Sequence, residues 1–213
     1  MAIKLSSFLR ETKNTCTIKG INARRQQHGT NEKKKNEFWE WSKALLIAFG
    51  LAWIIRYFLF TPIVVDGESM MPTLEDGDRM IVNKIGYEVG EPDRFDIVVF
   101  HAPEKKDYIK RVIGLPGDRV AYKNDQLYIN GEPLPEPYLD PKKEEINEGT
   151  LTEDFTLEEL WQIEVVPEGY VFVMGDNRRY SKDSRIIGVV SMEEIIGSTS
   201  FIFWPPNELG LVE

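Results

Sequence analysis

Apolar positions follow three regimes along the 213 residues. Up to residue 38, Lys, Asn, Thr and Gln dominate with no sustained apolar period and no repeat, which predicts a polar tail over 1–38. Ala44 to Phe60, ALLIAFGLAWIIRYFLF, is then almost continuously apolar, 17 residues whose single charge is Arg56. At ~1.5 Å rise per residue this run covers roughly 26 Å, or roughly 33 Å with residues 39–43 added, against a hydrocarbon core of about 30 Å. It predicts a membrane-spanning helix over 39–60, with Trp39, Trp41 and Tyr57 at the interfaces and Arg56 near enough to the end to snorkel. The alternatives are a helix buried in a soluble core and a cleavable leader. Against the leader stand the polar residues ahead of the run and the stretch FLFTPIVVDG, which has no small-x-small cleavage site.

Beyond the run, short strand-like segments alternate with turn signals: PIVVDG, RMIVNKI, DIVVFHAP, YIKRVIG, DRVAYKNDQLYING, GYVFVMGD and STSFIFW. Gly and Asp punctuate them too closely for βαβ units, so an antiparallel β body is predicted over 61–213. Val120–Ile129 reads as a hairpin turning at Asn124-Asp125. Residues 131–167 carry Pro133, Pro135, Pro137 and Pro141, an acidic stretch and one short helix at Leu157–Trp161. They predict an inserted extension between two strands of the body. The fold class expected is mostly β: one N-terminal membrane helix followed by an antiparallel β body with an extended ribbon or insert.

Charge orients the chain and narrows its partners. Residues 1–43 carry 10 Lys/Arg and 4 Asp/Glu, about +6, whereas the rest carries 16 and 31, about −15. Lys33, Lys34, Lys35 and Lys43 precede the apolar run, and no Lys or Arg occurs from Thr61 to Asp78. The positive-inside rule then places the N-terminus in the cytoplasm and the acidic body outside. An acidic body repels phosphates, which argues against a nucleic-acid partner. Cys16 is the sole cysteine, so neither an intramolecular disulfide nor a cysteine-based metal site is available.

A Ser-His-Asp hydrolase is hard to build here. His28 lies in the tail and His101 ends a strand-like run, and the same scarcity weighs against a histidine metal centre. Lysine is the alternative base, provided burial strips its charge. In YIKRVIG, Lys110 alternates onto the same face as Val112, between Ile109 and the apolar residues beyond. Arg111 cannot deprotonate. Ser69, in VVDGESMMPTL, follows Gly67 at a strand-to-turn junction, where a hydroxyl and an N–H can face a substrate together. Residues 175–188, GDNRRYSKDSRIIG, concentrate hydrogen-bonding groups between apolar strands. Taken singly, these also read as a surface lysine, a capping serine and a solvated loop.

Taken in order, the apolar run, GESMMPTL, GDRMIVNKI, DIVVFHAP, YIKRVIGLPGD and GDNRRYSKDSRIIG resemble the boxes of bacterial type I signal peptidases, of the Gram-positive type. The resemblance spans about Ala44 to Val190 and leaves 1–38 unassigned. It implies a cofactor-free serine endopeptidase, cleaving signal peptides after small-x-small sites, with Ser69 as acylated nucleophile and Lys110 as general base. It further implies that Ser181 hydrogen-bonds the lysine, that Asp183 and Arg185 form a supporting ion pair, and that Asp176 joins the same network. Ile63, Val65, Met70, Met80, Val99 and Ile109 match substrate-pocket positions, beside which an extended substrate adds as a strand. The resemblance also implies an oxyanion hole that uses the Ser69 N–H. The second donor is left open, because Gly67 stands where other members have a serine. Implied partners are signal peptides of exported preproteins, the lipid bilayer and, transiently, the export machinery. A self-cleaving Ser/Lys protease of the SOS-repressor type and a silent membrane-tethered β module are the competing readings.

Overall fold

A computed structural model describes residues 30–84 and 90–212, with side chains from 37 to 53 and from 61 onward. Residues 1–29 of the expected tail, including Cys16 and His28, lie outside the described residues. The first element is helix α1, Thr30–Leu59. It begins ahead of Trp39, because the Glu- and Lys-rich residues 30–38 are good helix formers with no breaker among them. From Phe38 to Trp53 its large apolar side chains are exposed. Among the described residues, no helix is long and apolar enough to cross a membrane. The described part of α1 carries Glu37, Glu40 and Lys43, while side chains 54–60 of the apolar run lie outside the description.

The body is mostly β, with a few short helices, and among the described residues its strands pair antiparallel. Its larger sheet has the order β1-β2-β11-β3-β4-β9-β10, with β12 also on β11. These are Phe60–Val64, Arg79–Asn83, Ile195–Trp204, Ile97–His101, Asp107–Gly114, Tyr170–Met174, Val190–Ser191 and Gly210–Leu211 for β12. Between β4 and β9 the chain leaves to make a second sheet, ordered β7-β6-β5-β8. Its strands are β5 (Val120–Lys123), β6 (Gln126–Ile129), β7 (Glu132–Leu134) and β8 (Phe155–Thr156). The excursion starts with the hairpin at Val120, ahead of the prolines that mark it in the sequence. Asn124 and Asp125 both take positive φ, 50° and 63°, the backbone of a two-residue type I′ turn that matches strand twist.

The short helix forms at Leu157–Trp161 because Thr156 caps it: its side chain accepts from the Glu159 N–H while Glu159 reaches back to the Thr156 N–H, a reciprocal capping box. Leu157, with Tyr122, Leu127 and Phe155 of the insert, packs on Ile113, Phe172 and Met174 of the larger sheet. The insert is thereby welded to β4 and β9 by a shared apolar core, at about 25 cal/mol per Å² of apolar surface removed from water. A second core, Val65, Met70, Leu74, Met80, Ile97 and Ile202, underlies the loop between β1 and β2.

Candidate active site

The loop joining β1 to β2 carries Ser69 and is pinned at its neck. Val65 N–H donates to Asp78 O and Gly77 N–H to Val65 O, at 2.8 and 3.0 Å. Gly67, at φ 100°, turns in a conformation that costs a residue with a Cβ, and its N–H donates to Asp76 Oδ1 at 2.7 Å. Met70 and Leu74 are fully buried and anchor the far side of the loop. The turn is therefore held by apolar burial below and by backbone hydrogen bonds at its mouth.

Lys110 is on β4, paired directly with Val98 of β3 and one residue from Arg111, which opposes Met174 of β9. It is only 3% exposed. Its Nζ donates to Ser69 Oγ and to Ile109 O, both at 2.8 Å, and the Tyr108 ring centroid is 5.1 Å away. Burial drives the amine from its usual value down to about 8, while the charges of Asp183 and then Asp176 pull it back up. Desolvation wins because a cation loses more hydration than two carboxylates engaged elsewhere return. At pH 7 roughly a tenth of the amines are then neutral. A neutral amine at this distance can accept the hydroxyl proton, so the pair can generate an alkoxide equivalent.

Behind the lysine, the 175–188 segment folds into a buried polar network. Asp176 takes a two-pronged pairing from Arg111, with Nη2 at 2.8 Å and Nε at 3.0 Å, and both residues are buried. The Arg111 guanidinium also stacks 4.0 Å from the Tyr138 ring. Asp183 accepts from Gly175 N–H at 3.0 Å and from Arg185 Nε and Nη2 at 2.8 Å. Arg178, fully buried, reaches Glu136 Oε1 at 2.6 Å and the hydroxyl of Tyr122, tying this loop to the inserted sheet. Gly175 admits no side chain: a Cβ there would collide with Ser181 and with the Ser69 carbonyl.

Ser181 departs from its expected contact. Its hydroxyl is buried but has no hydrogen-bond partner among the described residues, since the Lys110 amine is directed at Ser69 and Ile109. It does lie beside Gly175 and the Ser69 carbonyl. Of the six expected pocket residues, Ile63, Val65, Met70, Val99 and Ile109 line a groove of about 590 Å³ together with Ser69 and Lys110. Met80 does not line it. It opposes Ile63 in register, but β2 is an interior strand roofed by Met70 and Leu74, so Met80 is fully covered. His101 ends β3 at the surface, 2.7 Å from Asp107. Among the described residues, no cluster of His, Cys, Asp or Glu could hold a metal ion.

Sequence reading gave no role to Arg111 or Glu136, and it held Asn177 only as one of the hydrogen-bonding groups of residues 175–188, a network able to orient Lys110 and the loop carrying Ser69. The first was set aside as unable to act as a base, yet it is the counter-ion of Asp176. Its signal was its place next to Lys110, where alternation points it to the opposite, buried face. Asn177 donates through Nδ2 to Glu68 O at 3.0 Å and through its N–H to Ser69 O at 3.1 Å. No local pattern announces a contact across more than a hundred residues.

A serine hydroxyl under a buried lysine amine, at the floor of a groove beside an edge strand of an antiparallel body, is the equipment of a serine peptidase. The family described as "Signal peptidase, peptidase S26" matches residues 38–204, and the chain belongs to it. It is 52% identical to signal peptidase I of Bacillus caldolyticus over 174 residues, covering 82% of this chain and 93% of that protein. Against signal peptidase IB of Staphylococcus aureus the identity is 44% over 178 residues, with the same coverage of 82% and 93%. The crystal structure of a signal peptidase I from Enterococcus faecalis superposes with a TM-score of 0.50 at 46% identity, covering 52% of this chain and 97% of that one.

Proposed function

We propose that this protein is a membrane-anchored signal peptidase that cuts exported preproteins after small-x-small sites through an acyl-enzyme on Ser69, with Lys110 as general base. The observation that carries the reading is the 2.8 Å contact between Lys110 Nζ and Ser69 Oγ in a site where burial brings the amine down to about 8. The substrate lies extended in the groove beside β1, the edge strand of the larger sheet, and pairs with it as an added strand. Small apolar side chains suit the lining of Ile63, Val65, Val99 and Ile109.

The neutral Lys110 amine takes the hydroxyl proton as Ser69 Oγ bonds to the scissile carbonyl carbon. The C–N bond then breaks, and the lysine ammonium gives that proton to the departing amine. Water attacks the ester, Lys110 takes its proton, and Oγ leaves and is reprotonated. Asp176 and Asp183, fixed by Arg111 and Arg185, position the lysine and its loop; Ser181 packs at the same point. The apolar run through α1 anchors the chain in one pass, N-terminus in the cytoplasm and body outside. Its exposed apolar side chains and the lysines before it support that placement. Contact with the export machinery is transient.

The test is purified full-length protein in detergent with a preprotein, the cut located by mass spectrometry. Ser69→Ala and Lys110→Ala each abolish processing while retaining folded β signal. Substantial cleavage by either folded variant would remove the dyad, and a cut away from a small-x-small site would remove the substrate assignment.

A further inference from the structure

We infer that Asn177 is a positioning residue that aims the Ser69 N–H at the oxygen of the scissile carbonyl; the inference rests on Ser69 being the nucleophile. The C=O of Glu68 and the N–H of Ser69 belong to one planar trans peptide and point in opposite directions. Whatever holds the carbonyl therefore sets the direction of the amide hydrogen. Asn177 Nδ2 holds it, at 3.0 Å. The Asn177 N–H holds the next carbonyl, that of Ser69, at 3.1 Å. One residue thus fixes both peptides that flank the nucleophile.

The two sides of the loop differ in what they leave free. Gly67, two residues before the nucleophile, has its N–H committed to Asp76 at 2.7 Å and cannot turn to a substrate. The Ser69 N–H has no partner among the described residues, and Ser69 lines the groove. An amide held from behind and unpaired in front is preorganised for charge that develops only in the transition state. Asn177 itself is anchored, since Gly175 and Asp176 just before it are buried and tied to Asp183 and Arg111. Glu68 O also accepts from Met71 N–H at 3.2 Å, so losing Asn177 loosens the peptide without releasing it. The effect is accordingly smaller than the ~10²–10³ seen when an oxyanion donor is removed outright.

The experiment compares Asn177→Leu, Asn177→Asp and Ser69→Ala with the parent full-length protein in detergent, using a preprotein-derived peptide. For N177L, kcat falls about tenfold, with KM within twofold and the midpoint of the pH profile unmoved, because no charge near Lys110 has changed. For N177D, which keeps size but loses the donor, binding of a peptide aldehyde that adds Ser69 Oγ to its carbonyl weakens about tenfold. Its affinity for an uncleavable ground-state peptide stays the same, and this readout stands even if N177L does not fold. A parental kcat in folded N177L, a loss confined to KM, a moved midpoint, or equal weakening of both ligands would overturn the inference. Activity in S69A would instead overturn the reading beneath it, so the two failures are separable.

Discussion

Replacing Lys110 by methionine removes a cation that folding buries without a carboxylate in direct contact. The amine sits at about 8 in the folded chain against an ordinary 10.5. At about 1.4 kcal/mol per unit, the charged amine destabilises the fold by roughly 3 kcal/mol when it is protonated in both states. That full cost applies below pH 8. Between 8 and 10.5 the unfolded chain binds more protons than the folded one, so stability rises with pH and the cost fades. Methionine fills similar volume without charge, at the loss of two hydrogen bonds worth ~2 kcal/mol together. K110M is therefore more stable than the parent by about 1 kcal/mol at pH 7, and a change of about 2 kcal/mol by pH 9.5 turns that gain into a deficit of about 1 kcal/mol. Urea unfolding of both proteins in the same detergent at the two pH values measures it, and titrations elsewhere cancel in the difference. A gain independent of pH, or a K110M protein less stable than its parent at pH 7, would refute the account of a desolvated amine. The variant is inactive throughout, an exchange of stability for function that buried catalytic charges impose.

Cleavage rate rises with pH through a midpoint near 8, and Lys110→Arg is inactive at every pH because a guanidinium keeps its proton; a bell centred near pH 5 would contradict this. Arg111→Met strands the buried Asp176 carboxylate and destabilises by roughly 3–5 kcal/mol, while Arg111→Met with Asp176→Leu costs less than either change alone, as thermal unfolding of the three variants will show. Gly175→Ala forces its methyl into Ser181 and the Ser69 carbonyl, costing about 1–3 kcal/mol together with most of the activity. An alanine variant with parental Tm and rate would mean the segment has room that the geometry denies.

Local signals carried much of the fold. Alternation and turn residues marked β3, β4 and β9, and the Asn124-Asp125 hairpin and the Leu157–Trp161 helix follow from chemistry confined to a few neighbouring residues. Both are local because a type I′ turn and a capping box each close within four residues. The order of strands was not legible. Placing β11 between β2 and β3 joins segments more than a hundred residues apart, and hydrophobic alternation says which face is buried but not which strand is next. Met80 shows the same limit: its face was readable, but not the loop that roofs it.

The site divides in a similar way. The ordered motifs, through the resemblance they carry, point to Ser69 and Lys110, whereas residue types alone leave a capping serine and a surface lysine equally open. Their 2.8 Å contact across 41 residues depends on β1 and β4 being brought to one groove by strands between them. The depressed lysine depends on how completely the core closes around it, and Arg111 on which carboxylate meets it on the far face. Asn177 was visible in the sequence as one hydrogen-bonding group of the 175–188 segment, but its partners, Glu68 O and Ser69 O, belong to the tertiary structure. Sequence sets what each residue can donate, accept or bury over a few neighbours; long-range pairing decides which of those capacities meet, because distance and solvent exclusion are properties of the packed chain.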